Sequence, residues 1–162
     1  MWMGRLTNYL LLALFFLSYL FSFSQTITGK VIGITDGDTF KLLEKDSILH
    51  KVRVANIDSP EKGQPFGKRA KQFSSEALYL KTIQISVLNT DRYGRLIAFA
   101  FYDDRLNLSQ ELVRNGLAWN YDQYSDDENL INLQREAKIN KLGLWVDKNP
   151  IPPWEWRKGR RE

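Results

Sequence analysis

The chain has 162 residues, of which 43% are hydrophobic and 13% aromatic, enough for one domain with a real core. It contains no cysteine, so disulfides, thiolate-bound zinc and a lipoprotein signal are excluded. The formal net charge is +4, a mildly basic balance that suits a polyanionic partner without proving one.

Residues 1–24 read as a secretory signal peptide. Arg5 is the one charge, an apolar run follows over 10–21, and Ser22-Phe23-Ser24 sets small residues at alternate positions, with cleavage expected before Gln25. The apolar run is shorter than the roughly 20 residues a membrane span needs, so an uncleaved anchor is the lesser reading. Loss of Arg5 leaves +4 − 1 = +3. The expectation is a secreted or periplasmic protein, monomeric and not held at a membrane after cleavage.

Residues 26–34 are rich in β-branched side chains, Asp36-Gly37 makes a tight turn, and 38–43 and 48–57 read as the next strands. After a loop with two prolines and two glycines, Ala70, Phe73, Ala77 and Leu80 recur at helical spacing and predict a helix over 68–80. Strands follow at 82–88 and 96–102 across a turn at 89–95. Asn107 is placed to cap a short helix with Leu108, Leu112 and Val113 on its apolar face, and Gly116 stands where a left-handed terminator belongs. Ser125-x-x-Glu128 has the form of a capping box opening a helix that carries Leu130, Leu133, Ala137 and Ile139 and ends near Gly143. Five short strands with a helix between the third and fourth fit the five-stranded OB-fold barrel, and the class is α+β. The expected organisation is a signal at 1–24, the barrel domain with three helices at 25–148, and a tail at 149–162 with three prolines, two tryptophans and four basic residues.

Charged residues gather in three phrases: Asp36-Gly37-Asp38-Thr39, Arg53 through Asp58-Ser59-Pro60-Glu61, and Asp91-Arg92-Tyr93-Gly94-Arg95. Asp38 opens one strand and Asp58 closes a neighbour, so both can reach one hard cation of the calcium type, which takes carboxylate, carbonyl and water oxygens. Pro60 forces Ser59 extended and can turn its carbonyl toward the same ion. Glu61, three residues on, is the candidate to orient or deprotonate a water. Arg53 and Arg95 offer the paired donors that match phosphate oxygens. Tyr93, Trp119, Tyr121 and Tyr124 are candidates for stacking single-stranded bases, with packing as the alternative for Trp119 and Tyr121. The single histidine, His50, beside Lys51 on a strand, reads as a half-exposed strand residue rather than as a triad or metal histidine, and the basic stretch from Arg157 to Arg161 reads as a polyanion contact or a solvated terminus.

These phrases, together with Leu112-Val113-Arg114-Asn115-Gly116-Leu117-Ala118, resemble the staphylococcal nuclease (thermonuclease) family over residues 27–147, in order and in spacing. The resemblance implies an OB-fold barrel with three helices and calcium-dependent hydrolysis of DNA and RNA that leaves 3′-phosphate ends. It implies Asp38, Asp58 and the Ser59 carbonyl as calcium ligands, and Arg53, Glu61 and Arg95 as catalytic residues. Arg92 and Tyr93 match the pair near the terminal phosphate, and Tyr121 approximately matches a stacking tyrosine. The loop 62–66 is shorter and poorer in lysine than in the staphylococcal enzyme, which has no counterpart of the Pro152-Pro153-Trp154-Glu155-Trp156 tail. The rival is an OB-fold module that binds nucleic acid without cutting, and it has no need of all five of Asp38, Arg53, Asp58, Glu61 and Arg95.

Overall fold

A computed structural model describes residues 25–123 and 125–159. Residues 1–24, where a signal peptide is expected, Tyr124 and the last three residues lie outside the described residues. The strands are β1 (Gln25–Ile34), β2 (Thr39–Glu44), β3 (Leu49–Val54), β4 (Ile57–Asp58), β5 (Thr82–Thr90), β6 (Leu96–Tyr102), β7 (Leu106–Asn107) and β8 (Trp119–Asn120). The helices are α1 (Gly67–Leu78), α2 (Leu108–Arg114), α3 (Glu128–Ile139) and α4 (Pro153–Gly159).

The order β3-β2-β1-β5-β6 is antiparallel throughout, and β3 then pairs in parallel with β6, Val52 opposite Leu96 and Val54 opposite Ala98, which closes a five-stranded barrel. Alternation along the strands sends Ile27, Val31, Phe40, Leu42, Val52, Val54, Ile83 and Ile85 inward. Each such side chain contributes about 1.5–3 kcal/mol on full burial, so the barrel is held by its core without disulfides. Leu108, Leu112 and Val113 from α2 and Leu130 and Leu133 from α3 complete the same core. The α+β OB-fold architecture expected from the strand and helix order is therefore observed, with a fourth helix added by the tail. Among the described residues no helix is long and apolar enough to cross a membrane.

Four local expectations are corrected. The segment 48–57 is not one strand, because Asn56 takes φ 66° and breaks it. Asparagine tolerates that left-handed geometry better than other side chains. The two residues beyond it, β4, leave the barrel and pair with β8, Asp58 opposite Trp119. The first helix ends at Leu78, and Leu80 is exposed with φ 63°. Leu78, fully buried, takes the core position assigned to Leu80. Finally, α3 is capped by Asp127, whose side chain accepts from the Asn129 and Leu130 N–H groups, while Ser125 Oγ accepts from Asp127 N–H. Ile139, at its last turn, is 73% exposed and lies off the apolar face.

Other local readings hold. Asn107 Oδ1 accepts from Ser109 N–H and caps α2. Gly116 has φ 62°, and a Cβ there would strike the Leu142 carbonyl. Gly37 matters more for the site. Its Cα lies so close to Ser59 and Ala70 that any Cβ would collide with both, which presses the 36–39 turn onto the end of β4.

Candidate active site

One cleft of about 820 Å³ runs along the barrel rim where the β1–β2 turn, the end of β4 and the β5–β6 turn meet. Its walls include nine of the residues singled out in the sequence: Asp38, Arg53, Asp58, Ser59, Glu61, Arg92, Tyr93, Arg95 and Tyr121. Asp36 and Arg157 join them. Three chain segments far apart in sequence thus deliver their charges to one surface.

Asp38 and Asp58 are both buried, at 6% and 2% exposure. Asp38 Oδ2 accepts from Ser59 N–H at 2.8 Å, and its Oδ1 accepts from Thr39 Oγ1 at 3.0 Å. The first of these bonds ties the start of β2 to the end of β4. Arg53 lies between the two carboxylates: Nη2 is 2.9 Å from Asp58 Oδ1 and 3.6 Å from Asp38 Oδ2. Its Nη1 donates to the carbonyls of Val54 and Ile57, at 3.1 and 3.0 Å. Burial alone would lower the Arg53 pKa, but the charges of Asp38 and Asp58 outweigh it and hold the proton more firmly. Burial pushes the Asp58 carboxyl above its ordinary range, and the charge of Asp38 adds to this against the hydrogen bond from Arg157 and the charge of Arg53. Asp36 rises to about 7, chiefly by burial and then through Asp38. This corner is crowded with negative charge.

The residues fit a hard cation. A carboxylate has about four acceptor sites. Arg53 and Arg157 occupy three of those on Asp58, and Thr39 and Ser59 occupy two on Asp38, so each carboxylate retains acceptor capacity. The Ser59 hydroxyl donates to the Leu117 carbonyl at 3.2 Å and its N–H to Asp38, so the atom it could offer an ion is its backbone oxygen. Among the described residues no three His, Cys, Asp or Glu side chains form one metal-binding group. Two carboxylates supplemented by carbonyl and water oxygens suit calcium, and the donor set has none of the nitrogen or sulfur that zinc and its neighbours favour.

Arg95 joins the cleft from the β5–β6 turn. Asp91 folds the β5–β6 turn by accepting from the Tyr93 and Arg95 N–H groups at 2.8 and 3.0 Å, and its other oxygen takes Arg95 Nε at 2.7 Å. Burial would raise the Asp91 pKa, but these bonds and the Arg95 charge hold it below the usual carboxylate range. The terminal nitrogens of Arg95 have no hydrogen-bond partner among the described residues and face a cleft that could receive a phosphate. Asp91 thus aims Arg95, and Asp91→Ala is expected to lower kcat by about tenfold through lost orientation. Steady-state kinetics on denatured DNA at saturating calcium checks this.

Tyr93 is 68% exposed at the rim, with Arg92 and Arg95 at 4.9 and 5.6 Å from its ring centre. Tyr121 stacks on Trp154 with ring centres 5.2 Å apart and 14° between planes. Trp119 is not brought to the cleft. It packs edge-on against Trp145 and Trp154 and lines a smaller groove next door, as a packing residue.

The residue that sequence reasoning missed is Arg157. Its Nη1 is 2.6 Å from Glu61 Oε1 and 3.2 Å from Asp58 Oδ1, and its Nη2 is 2.7 Å from Asp58 Oδ2. Burial would lower its pKa, but the bonds to Asp58 and Glu61 raise it well above the usual value. The available signal was two tryptophans beside a proline pair, since tryptophan is seldom left in water and proline favours a helix's first turn.

A family model described as "Staphylococcal nuclease homologue" matches residues 51–147. The chain is similar to an "Uncharacterized endonuclease" of Haemophilus influenzae, 41% identical over 131 residues that cover 81% of this chain and 73% of that protein. A protein of the same description from Escherichia coli O157:H7 is 39% identical over 131 residues, covering 81% and 85%. "Micrococcal nuclease" of Shigella flexneri is 34% identical over 143 residues, covering 82% of each chain.

Proposed function

The chain belongs to the staphylococcal nuclease homologue family, and from that premise we propose that it is an exported, calcium-dependent nuclease. It hydrolyses phosphodiester bonds of DNA and RNA, in single-stranded or unwound form, and leaves 3′-phosphate ends. Endonuclease and micrococcal nuclease are the descriptions of its relatives, which supports a nuclease. The observation that carries the finer reading is the convergence of Asp38, Asp58, Glu61, Arg53 and Arg95 on one cleft.

Asp38, Asp58 and the Ser59 carbonyl would hold the ion, and calcium there supplies positive charge to the phosphate oxygens. Glu61 accepts the proton of the attacking water, and its loop position on the cleft wall gives it access. Arg95, with its terminal nitrogens turned to the cleft, pairs with the non-bridging oxygens as charge builds on them. Arg53 is more heavily committed: three hydrogen bonds anchor it to Val54, Ile57 and Asp58, so its share is to fix the two ligand carboxylates and offer its remaining donors. Arg92 and Tyr93 take the neighbouring phosphate and Tyr121 one face of a base. Tyr93, exposed on the cleft wall, offers its ring to an unpaired base, which supports the preference for unwound substrate. Export rests on the 1–24 segment and brings the site to compartments where calcium is plentiful.

Incubation of the purified protein with denatured DNA, in calcium or in chelator, tests this reading. Cleavage in calcium alone supports it. Retardation of the DNA without cleavage would replace it with a binding module.

A further inference from the structure

We propose that the C-terminal helix completes the active site, with Arg157 as the positioning residue that clamps Glu61 to Asp58. The inference rests on the nuclease reading above and adds to it a residue outside the segment that the family model matches, 51–147.

Glu61 sits on the loop after β4, with its side chain one-third exposed. Among the described residues Arg157 is the one hydrogen-bond partner of its carboxylate. Glu61 is three residues from Asp58, and two carboxylates that close repel each other. Without a bridging cation the more exposed one would turn to water. The planar guanidinium removes that freedom: Nη1 takes Glu61 Oε1 while Nη2 takes Asp58 Oδ2, so one rigid fork sets the spacing of the two side chains. Asp58 keeps an acceptor site, so the clamp and a cation can share it.

A second, independent link joins the tail to the same loop. Gln64 is buried, its Oε1 accepts from Glu61 N–H at 2.9 Å, and its Nε2 donates to the Ile151 carbonyl at 2.7 Å. Glu61 is therefore held by its backbone through Gln64 and by its carboxylate through Arg157, both anchored in residues 151–157.

The helix itself is built to dock. Pro153 is buried at its first position, Trp154 stacks on Tyr121 and meets Trp119 edge-on, and Trp156 lines the neighbouring groove together with Pro60 and Gln64. These aromatic contacts hold the helix so that residue 157 projects into the cleft. They also back Tyr121, the cleft residue where a base is expected, with the ring of Trp154.

The test compares wild type, R157Q, R157K and R157A as full mature chains on denatured DNA at saturating calcium. Calorimetric titration with calcium alone and thermal melting run in parallel. R157Q is expected to lose about 100-fold in kcat with KM within about threefold, the pattern of a misplaced group rather than lost binding. Its calcium dissociation constant should be unchanged or lower, because a positive charge has left Asp58. R157K keeps stem and charge but not the fork, and should recover only part of the rate. Millimolar guanidinium should restore R157A at least about tenfold where sodium chloride at equal ionic strength does not, a readout that a purely structural arginine would not give.

Unchanged or raised kcat in R157Q would overturn the inference and make Arg157 a competitor for the cation site. Loss of calcium binding together with activity would overturn it too, since Arg157 would then act through the ion's ligand. Should R157Q melt early, R157K, which keeps the packed stem, decides between the same outcomes. A wild-type protein that does not cut would defeat the nuclease reading itself. A wild type that cuts no better than R157Q would defeat this inference alone.

Discussion

Arg95→Ala lowers kcat on denatured DNA by roughly 10²–10³ and leaves the fold intact, because it removes a donor aimed at the charge that develops on phosphorus. The stability half of the expectation follows from geometry. Arg95 bonds to Asp91 by Nε, on a turn at the barrel rim, and both side chains are partly exposed, at 26% and 18%. Such a pair is worth about 0–1 kcal/mol, so the melting temperature should move by only a few degrees. Asp91 keeps its bonds to the Tyr93 and Arg95 N–H groups, which do not depend on the side chain of residue 95, so the turn survives. Calcium titration should be unaffected, since Arg95 touches neither Asp38 nor Asp58. The same logic makes Glu61→Ala a loss of turnover with little loss of stability. Near-normal turnover in Arg95→Ala would remove the assignment of this cleft as the cleaving site.

Arg53→Ala has a different signature, with activity and stability falling together. Arg53 is the buried counter-charge of Asp38 and Asp58, its side chain 15% exposed against 8% and 2% for theirs. Removing it leaves Asp38 without its counter-charge among the described residues and Asp58 with Arg157 alone, and breaking a buried pair costs about 3–5 kcal/mol. The carbonyls of Val54 and Ile57 also lose a donor, where each unsatisfied buried group costs about 1–3 kcal/mol. Those carbonyls flank the Asn56 turn that swings Asp58 out of the barrel, so the damage falls where the site is made. Urea denaturation should show a loss of at least about 3 kcal/mol in calcium-free buffer. Saturating calcium should recover part of it, because an ion that binds only the folded state restores positive charge between the carboxylates and stabilises by mass action. Arg53→Lys should rescue little, since a point charge cannot serve two carbonyls and a carboxylate at once. A melting temperature within a degree or two of wild type would show that Arg53 is not the keystone of this corner.

The contrast between the two arginines was not visible in the sequence. Both stand in charged phrases, and both match the same chemistry. Only the fold makes one a buried strut and the other a free donor at the rim. Trp119 and Tyr121 divide in a similar way: alternation would put residues two apart on one face, but β8 ends at Asn120, so Trp119 packs from the strand while Tyr121, beyond its end, lines the cleft. The strand assignment 48–57 failed at Asn56 for a reason the local pattern hides. Val52 and Val54 alternate, and Ala55 and Ile57 prolong the apolar composition with the parity shifted, so the local pattern reads on as strand across a turn that one left-handed residue makes.

The order of short β-branched runs and amphipathic segments, with the turn at Asp36-Gly37 and the cap at Asn107, was enough to give the barrel, its class and the residue types of its chemistry. These are local properties: alternation, helical spacing and turn preference act between residues a few positions apart. The same sequence placed Asp38, Asp58, Glu61, Arg53 and Arg95 as candidates by the chemistry each could do. It could not say which of them meet, how each is held, or that residues 151–157 belong to the site. The fork of Arg157 closes on Asp58 and Glu61 across 99 and 96 positions of chain. That contact depends on Trp154 and Trp156 finding a groove assembled from β8, the 60–66 loop and the turn after α3. A groove of that kind exists only after folding, and so tertiary packing alone decided that the tail is part of the machinery.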